Sequence, residues 1–302
     1  MKKSLFILAA AIVSAQAFAF DGENARKPAG GANQYTKTEY QITEKFGDYY
    51  RSPRAKFVHT FDANGREVEA TELTSKDSLV DKISYKYDAN GNKVSAVCTD
   101  GDGKVMWKIA TVYDASGNKS EESEFNATET LINKTIWRIN GKQADESYYN
   151  ADGSLLSKII TKYDDQNRIS EISQYHASGK LEQKASYSYN DAGKLSEIAY
   201  TNEAGNVLKK TVYRFDSAYQ ITEEQTYNAE NKLVVRIIYK YDANNNVIKT
   251  TSYNVAEKFG TTVNELSGIS EYAYGNGSAS TSALPVVNSP SVPRSNSNAD
   301  AK

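Results

Sequence analysis

An aromatic residue followed by a polar turn recurs along this chain at a nearly constant interval, and that interval limits what the chain can fold into. Phe61-Asp62-Ala63-Asn64-Gly65 is followed by Tyr87-Asp88-Ala89-Asn90-Gly91 and by Tyr113-Asp114-Ala115-Ser116-Gly117. The series continues through Trp137, Tyr163-Asp164, Tyr189-Asn190-Asp191-Ala192-Gly193, Phe215-Asp216 and Tyr241-Asp242-Ala243-Asn244. Every step is 26 residues except the one from Tyr113 to Trp137, which is 24. A second aromatic series falls inside each period: Phe125, Tyr149, Tyr175, Tyr200, Tyr227 and Tyr253. Each period is therefore two half-units, a strand and then a tight turn. The first turn side chain accepts from the backbone ahead of it, and glycine takes the left-handed position. Turns this close together leave no room for a helix pair.

The strands alternate with period two. Leu233, Val235, Ile237, Tyr239 and Tyr241 share one face; Val234, Arg236, Ile238 and Lys240 share the other. Composition agrees with strands: 22 Tyr, and only 13 Leu where packed helices need many more. Lys86, Lys162, Arg214 and Lys240 sit one residue before an aromatic, and Glu122, Glu146, Glu197 and Glu224 sit three before one. Both sets are expected opposite the aromatics, as alternating basic and acidic rows. Glu121, Asp145, Glu171 and Glu223 fall on the Tyr side unless a bulge shifts the register. The fold class expected is all-β: an antiparallel meander of about sixteen strands in repeated hairpins. It forms a curled single-layer sheet, either an open superhelix or a partial barrel, with the Tyr face concave. A free-standing flat sheet is the alternative.

The ends have other compositions. Residues 1–19 carry Lys2, Lys3, an apolar run from Leu5 to Val13 and the small-residue sites Ala15-Gln16-Ala17 and Ala17-Phe18-Ala19. This is a signal-peptide pattern, and the run is too short to span a bilayer as a helix. It implies export, to the periplasm, the cell surface or the exterior. Residues 20–34 read as a flexible segment, 35–274 as the β-repeat domain, and 275–302 as a disordered Ser/Asn/Pro-rich tail. The net charge of -2 supplies no field for nucleic acid or an anionic membrane. A single Cys excludes an intramolecular disulfide.

The form Tyr-x-Tyr-Asp-x-x-Gly-x resembles the YD (or RHS) repeat of secreted and surface bacterial proteins. Here it reads Tyr85-Lys86-Tyr87-Asp88-Ala89-Asn90-Gly91-Asn92, with variants at Tyr187–Lys194, where Asn190 replaces Asp, and Tyr239–Asn246, where Asn245 replaces Gly. The resemblance covers about Phe57 to Tyr253. It implies hairpins wound into a β spiral or shell, and it brings no catalytic residues. The chain is also similar to short secreted β-repeat proteins of the Bacteroidetes type.

Catalytic and metal motifs are weak. Asp88 and Asp242 begin runs of alternating oxygen ligands, but the sixth and twelfth places of an EF-hand hold Lys93 and Thr99, or Val247 and Tyr253. Turn chemistry is the expected use of these residues. His59 and His176 lie far apart, no Gly-x-Ser-x-Gly elbow occurs, and Cys98 reads as a buried inert thiol. No cofactor is expected. The remaining feature is tyrosine repeated on one face, a flat ring with a polar tip that suits adhesion and sugar stacking. If this face binds a ligand, its residues are Tyr85, Tyr87, Tyr187, Tyr189, Tyr213, Tyr239 and Tyr241, with Trp137 as the largest anchor. The function expected is a non-enzymatic β scaffold for binding, adhesion or envelope structure. Its partners would be a polysaccharide or another surface protein, with neither nucleic acid nor a transmembrane span. The alternative is a secreted carbohydrate-active enzyme using a carboxylate pair inside the curled sheet.

Overall fold

The structure, a computed structural model, describes residues 25–277. The expected signal peptide and the tail beyond residue 277 lie outside the described residues. The strands in chain order are β1 (Gln34–Lys45), β2 (Asp48–Phe61), β3 (Glu67–Thr74), β4 (Leu79–Tyr87), β5 (Lys93–Asp100) and β6 (Val105–Tyr113). They continue as β7 (Lys119–Asn126), β8 (Leu131–Asn140), β9 (Gln143–Asn150), β10 (Leu155–Tyr163), β11 (Ile169–His176) and β12 (Leu181–Tyr189). The last six are β13 (Leu195–Thr201), β14 (Val207–Phe215), β15 (Ile221–Asn228), β16 (Leu233–Tyr241), β17 (Val247–Lys258) and β18 (Thr261–Gly275). Each pairs antiparallel with its sequence neighbours.

The ring then closes. β18 pairs antiparallel with β1, from Gln34↔Gly275 to Tyr40↔Ile269. The expected all-β meander is present, but it is neither an open superhelix nor a curled open sheet. Eighteen strands form one closed barrel. Closure satisfies the two edges that an open meander would expose, and an even strand number lets first and last strands meet antiparallel. Most of the seam lies outside the repeat: β1 and β18 carry no Tyr-Asp turn.

The repeat turns work as their composition implies. At the first, Asp62 N–H donates to Arg66 O and Gly65 N–H to Asp62 O, while the Asp62 carboxylate accepts from the N–H groups of Asn64 and Arg66. Asp88, Asp114, Asp164, Asp216 and Asp242 repeat this pattern. Beside each turn the ladder slips by one residue, as between Lys86 and Tyr87, Val112 and Tyr113, and Lys162 and Tyr163.

That slip settles the faces. Tyr163, Tyr189 and Phe215 pack against a buried core that contains Ile159, Ile172, Ala185, Tyr187, Ile198, Tyr200 and Tyr213, so the first aromatic series lines the interior. The second series does not join it. Phe125 lies opposite Lys108, Tyr149 opposite Lys134, Tyr175 opposite Lys158 and Tyr227 opposite Lys210, all on the outer face. Tyr200 is the exception, because β13 is one residue shorter and Thr201 takes the outer place opposite Lys184. The bulge condition is therefore met. Glu121, Asp145, Glu171 and Glu223 point outward, whereas Glu122, Glu146 and Glu224 point inward, the reverse of the expected placement; Glu197 alone of its set lies outward as expected, because Ile198 takes the inward place.

The outer face carries a ladder of ion pairs, each basic residue reaching the acid half a period before it. Lys134–Glu121 is 2.9 Å, Lys158–Asp145 2.7 Å, Lys184–Glu171 3.5 Å and Arg236–Glu223 2.5 Å. Exposed pairs of this kind contribute little each. Their regularity shows that the mid-height of the outer wall is charged.

Candidate functional site in the barrel interior

The expected binding residues do not form one surface. Tyr187, Tyr189, Tyr213 and Tyr239 come together at the core of β10–β16. Burial raises the hydroxyl pKa of Tyr187, Tyr213 and Tyr239 well above the ordinary tyrosine value. Tyr87, Tyr189 and Tyr241 serve as clamps: their hydroxyls donate to the carbonyls of Glu67 (2.6 Å), Ile169 (2.7 Å) and Ile221 (2.8 Å) on the neighbouring strand. Arg66 covers the Tyr87 ring, Arg168 the Tyr189 ring and Lys93 the Tyr85 ring, at 4.9, 4.1 and 4.1 Å. These rings already have partners within the protein. Cys98 is buried inside β5, and burial, then Asp81 and Asp100, pushes its thiol up to about 12.

Trp137 differs from them. The ladder corrects its expected place: Glu146 lies opposite it as Ile198 lies opposite Tyr187 and Glu224 opposite Tyr213, so it stands in the column two residues before the first aromatic series, whose place on β8 is held by Ile139. Here the five-residue turn is replaced by a two-residue loop, Gly141-Lys142, between Asn140 and Gln143. Glycine at the first loop position with φ 61° gives a type II′ turn, which closes a hairpin with fewer residues. The indole is half-buried, and the Lys119 ammonium lies 4.9 Å from its ring centre.

Two inward carboxyls flank this indole. Glu146 lies directly opposite Trp137 on β9. It accepts from the Tyr148 hydroxyl at 2.9 Å and from the indole N–H. Burial raises its pKa above the ordinary glutamate value, partly offset by the Tyr148 hydrogen bond and by Lys119. Glu122, on β7, is paired with Lys119 at 3.0 Å and accepts from Thr111 at 3.2 Å. The two carboxyls are near enough for the Glu122 charge to act on Glu146. One is thus a paired carboxylate, and the other is held toward its protonated form.

Sequence reasoning identified Trp137 but missed Glu122, Glu146, Lys119 and Thr111. The signal was available: the inward positions equivalent to Glu122 and Glu146 hold Ala70, Ala96, Ile172 and Ile198 in other periods. Glu224 is a third departure, raised by burial and receiving the Tyr239 hydroxyl at 3.3 Å. Among the described residues no cluster of His, Cys, Asp and Glu is arranged to hold a metal. A shallow groove on the outer seam is lined by Tyr40, Lys240, Ile248, Lys249 and Glu271, and its carboxylate is already paired: Glu271 binds Arg51 at 2.5 Å and Lys249 at 3.2 Å.

No family model matches the sequence, and no curated protein matches it. Among solved structures, a porin-like protein from Bacteroides uniformis is similar with a TM-score of 0.45 and 11% identity, over 82% of this chain and 99% of that one. TcdB2-TccC3 without its hypervariable C-terminal region is similar with a TM-score of 0.26 and 12% identity, over 75% of this chain and 16% of that one. A protein of unknown function from Bacteroides fragilis gives 0.18 and 14%, over 52% of this chain and 93% of that one. Likenesses of this strength leave the chemistry of the interior to its own residues.

Proposed function

We propose that this protein is an exported, non-enzymatic β-barrel scaffold that binds carbohydrate at Trp137. The observation that carries the reading is a coincidence of departures. The only shortened period, the only tryptophan in the column that holds Tyr187, Tyr213 and Tyr239, and two inward glutamates meet at one half-buried place, while the other rings serve packing and clamping. A regular structure breaks its own local rules most often where function requires it. An indole face beside a carboxyl, a carboxylate and an ammonium supplies stacking together with hydrogen-bond donors and acceptors, the pairing that sugar rings need. A lipid-spanning barrel is disfavoured, because an outer ion-pair ladder would place lysines in hydrocarbon at about 2–4 kcal/mol each near the midplane.

The test is a glycan array followed by calorimetry on the best ligand. Trp137→Ala is expected to weaken binding at least tenfold with the fold retained, as for a central aromatic anchor. Unchanged affinity would remove the site. A second reading has one specific support, the contrast between Glu122 and Glu146, since separated carboxyl environments are what acid–base assignment in glycoside hydrolysis requires. It predicts reducing-sugar release that disappears in both Glu122→Gln and Glu146→Gln.

A further inference from the structure

Two hairpins of the closing seam project beyond one rim, and both end in the same four residues. The β1–β2 tip reads Glu44-Lys45-Phe46-Gly47, and the β17–β18 tip reads Glu257-Lys258-Phe259-Gly260. Neither tip belongs to the repeat. The β2 ladder with β3 begins only at Ala55, the β1 ladder with β18 stops at Tyr40, and Val255–Lys258 extend past the β16 ladder. Residues 48–54 therefore stand about 20 Å beyond their neighbour, at the ordinary rise of a strand. The tips stand side by side: Lys258, ion-paired with Glu265, also feels the charge of Glu44 and lies near Tyr49 of the other hairpin.

Each tip is a two-residue loop with both residues at positive φ: Phe46 at 56° and Gly47 at 86°, Phe259 at 52° and Gly260 at 77°. This is the type I′ turn, whose first place suits Asn, Asp or Gly. A bulky side chain is disfavoured there. Both rings are nevertheless fully exposed, at 105% and 107% of the reference area. Among the described residues Tyr219 is the other aromatic with positive φ, but it sits singly in a repeat turn on the opposite rim and is half as exposed. A strained conformation adopted twice, in one motif, for rings left fully exposed among the described residues points to a partner outside the barrel.

The layering identifies that partner. Phenylalanine is outermost. Lys45, Lys258 and the exposed Tyr49 and Tyr50 come next, and the ion pairs Arg51–Glu271 and Arg54–Glu39 lie below. Apolar tip, amphipathic collar and charged base is the polarity gradient of a bilayer interface. The hairpin turn satisfies the tip backbone, so insertion strands few polar groups. Glu44, Asp48, Glu257 and Glu265 outnumber Lys45 and Lys258, which favours zwitterionic over anionic headgroups. We propose that the paired tips attach the barrel peripherally to a zwitterionic lipid surface, with Phe46 and Phe259 inserted among the headgroups. The barrel wall stays in water, and the proposal is independent of the Trp137 site.

Flotation of the full chain with vesicles of pure phosphatidylcholine, and separately of pure phosphatidylglycerol, tests it. The double substitution Phe46→Asn and Phe259→Asn gives each turn its preferred residue, so its melting temperature should hold or rise. Its partition onto phosphatidylcholine should still fall at least about tenfold, from the loss of two buried rings. Wild-type protein that does not float with phosphatidylcholine, or double variant that floats as well as wild type, would overturn the proposal. Equal or stronger attachment to phosphatidylglycerol would overturn the headgroup selection.

Discussion

Tyr87, Tyr113, Tyr189 and Tyr241 each donate a hydroxyl to the backbone carbonyl of the residue 20 positions earlier. In each case that carbonyl belongs to the residue paired across the slipped step of the ladder. Phenylalanine, which holds this place at Phe61 and Phe215, fills the same space without supplying that donor. The richness in tyrosine was legible in composition; its use as a clamp was not, because the carbonyl it serves belongs to another strand. The inward glutamates give a residue-scale prediction. Burial raises the folded pKa of Glu224 above its ordinary value of 4.5. The native state then binds more protons than the unfolded chain between 4.5 and the raised value, so stability falls as pH rises through that window. Glu224→Gln should therefore stabilise the protein at neutral pH and lose that advantage below about pH 4, measured by denaturant unfolding at both pH values. Glu223, lowered chiefly by its hydrogen bond from Arg236, has the opposite slope: its contribution is present above 4.5 and is lost as pH falls through its folded value.

At the scale of the hairpin, turn chemistry could be read directly from the chain, since the Asp carboxylate and its N–H donors are four residues apart or closer. The same locality makes a clean test. Gly117 has φ 81°, and an added Cβ would meet nothing within 4 Å. Gly117→Ala should therefore cost about 1 kcal/mol through backbone strain alone, with an unchanged denaturant slope, and a near-zero change would mean the turn relaxes freely. Face assignment could not be read this way. Glu122 and Glu121 are adjacent, and a one-residue slip exchanges inside for outside. The slip lies in the pairing of two strands, so counting along either strand alone misplaces both residues. The error is informative at β13, where a single missing residue turns Tyr200 inward to 1% exposure while Thr201 takes the outer place.

The whole molecule depends on a seam that the repeat does not describe. Tyr35 of β1 is 1% exposed and packs against His59, Phe61, Tyr272 and Tyr274, with ring centroids 4.6–6.3 Å away, so it joins β1, β2 and β18. Tyr35→Ala should cost about 3–5 kcal/mol and should open the seam first. Limited proteolysis within β1 or β18 ahead of the repeat strands would show this; uniform cleavage along the barrel would contradict it. From the order of residues alone came the strands, their antiparallel sense, the turns and the inward first aromatic series, all properties of contacts within one period of 26 residues. Tertiary structure alone decided that the ribbon closes, which glutamates face inward and that the Phe46 and Phe259 tips stand together. Those outcomes rest on pairs such as Gln34 with Gly275, brought together only after every intervening strand has added its share of twist and stagger.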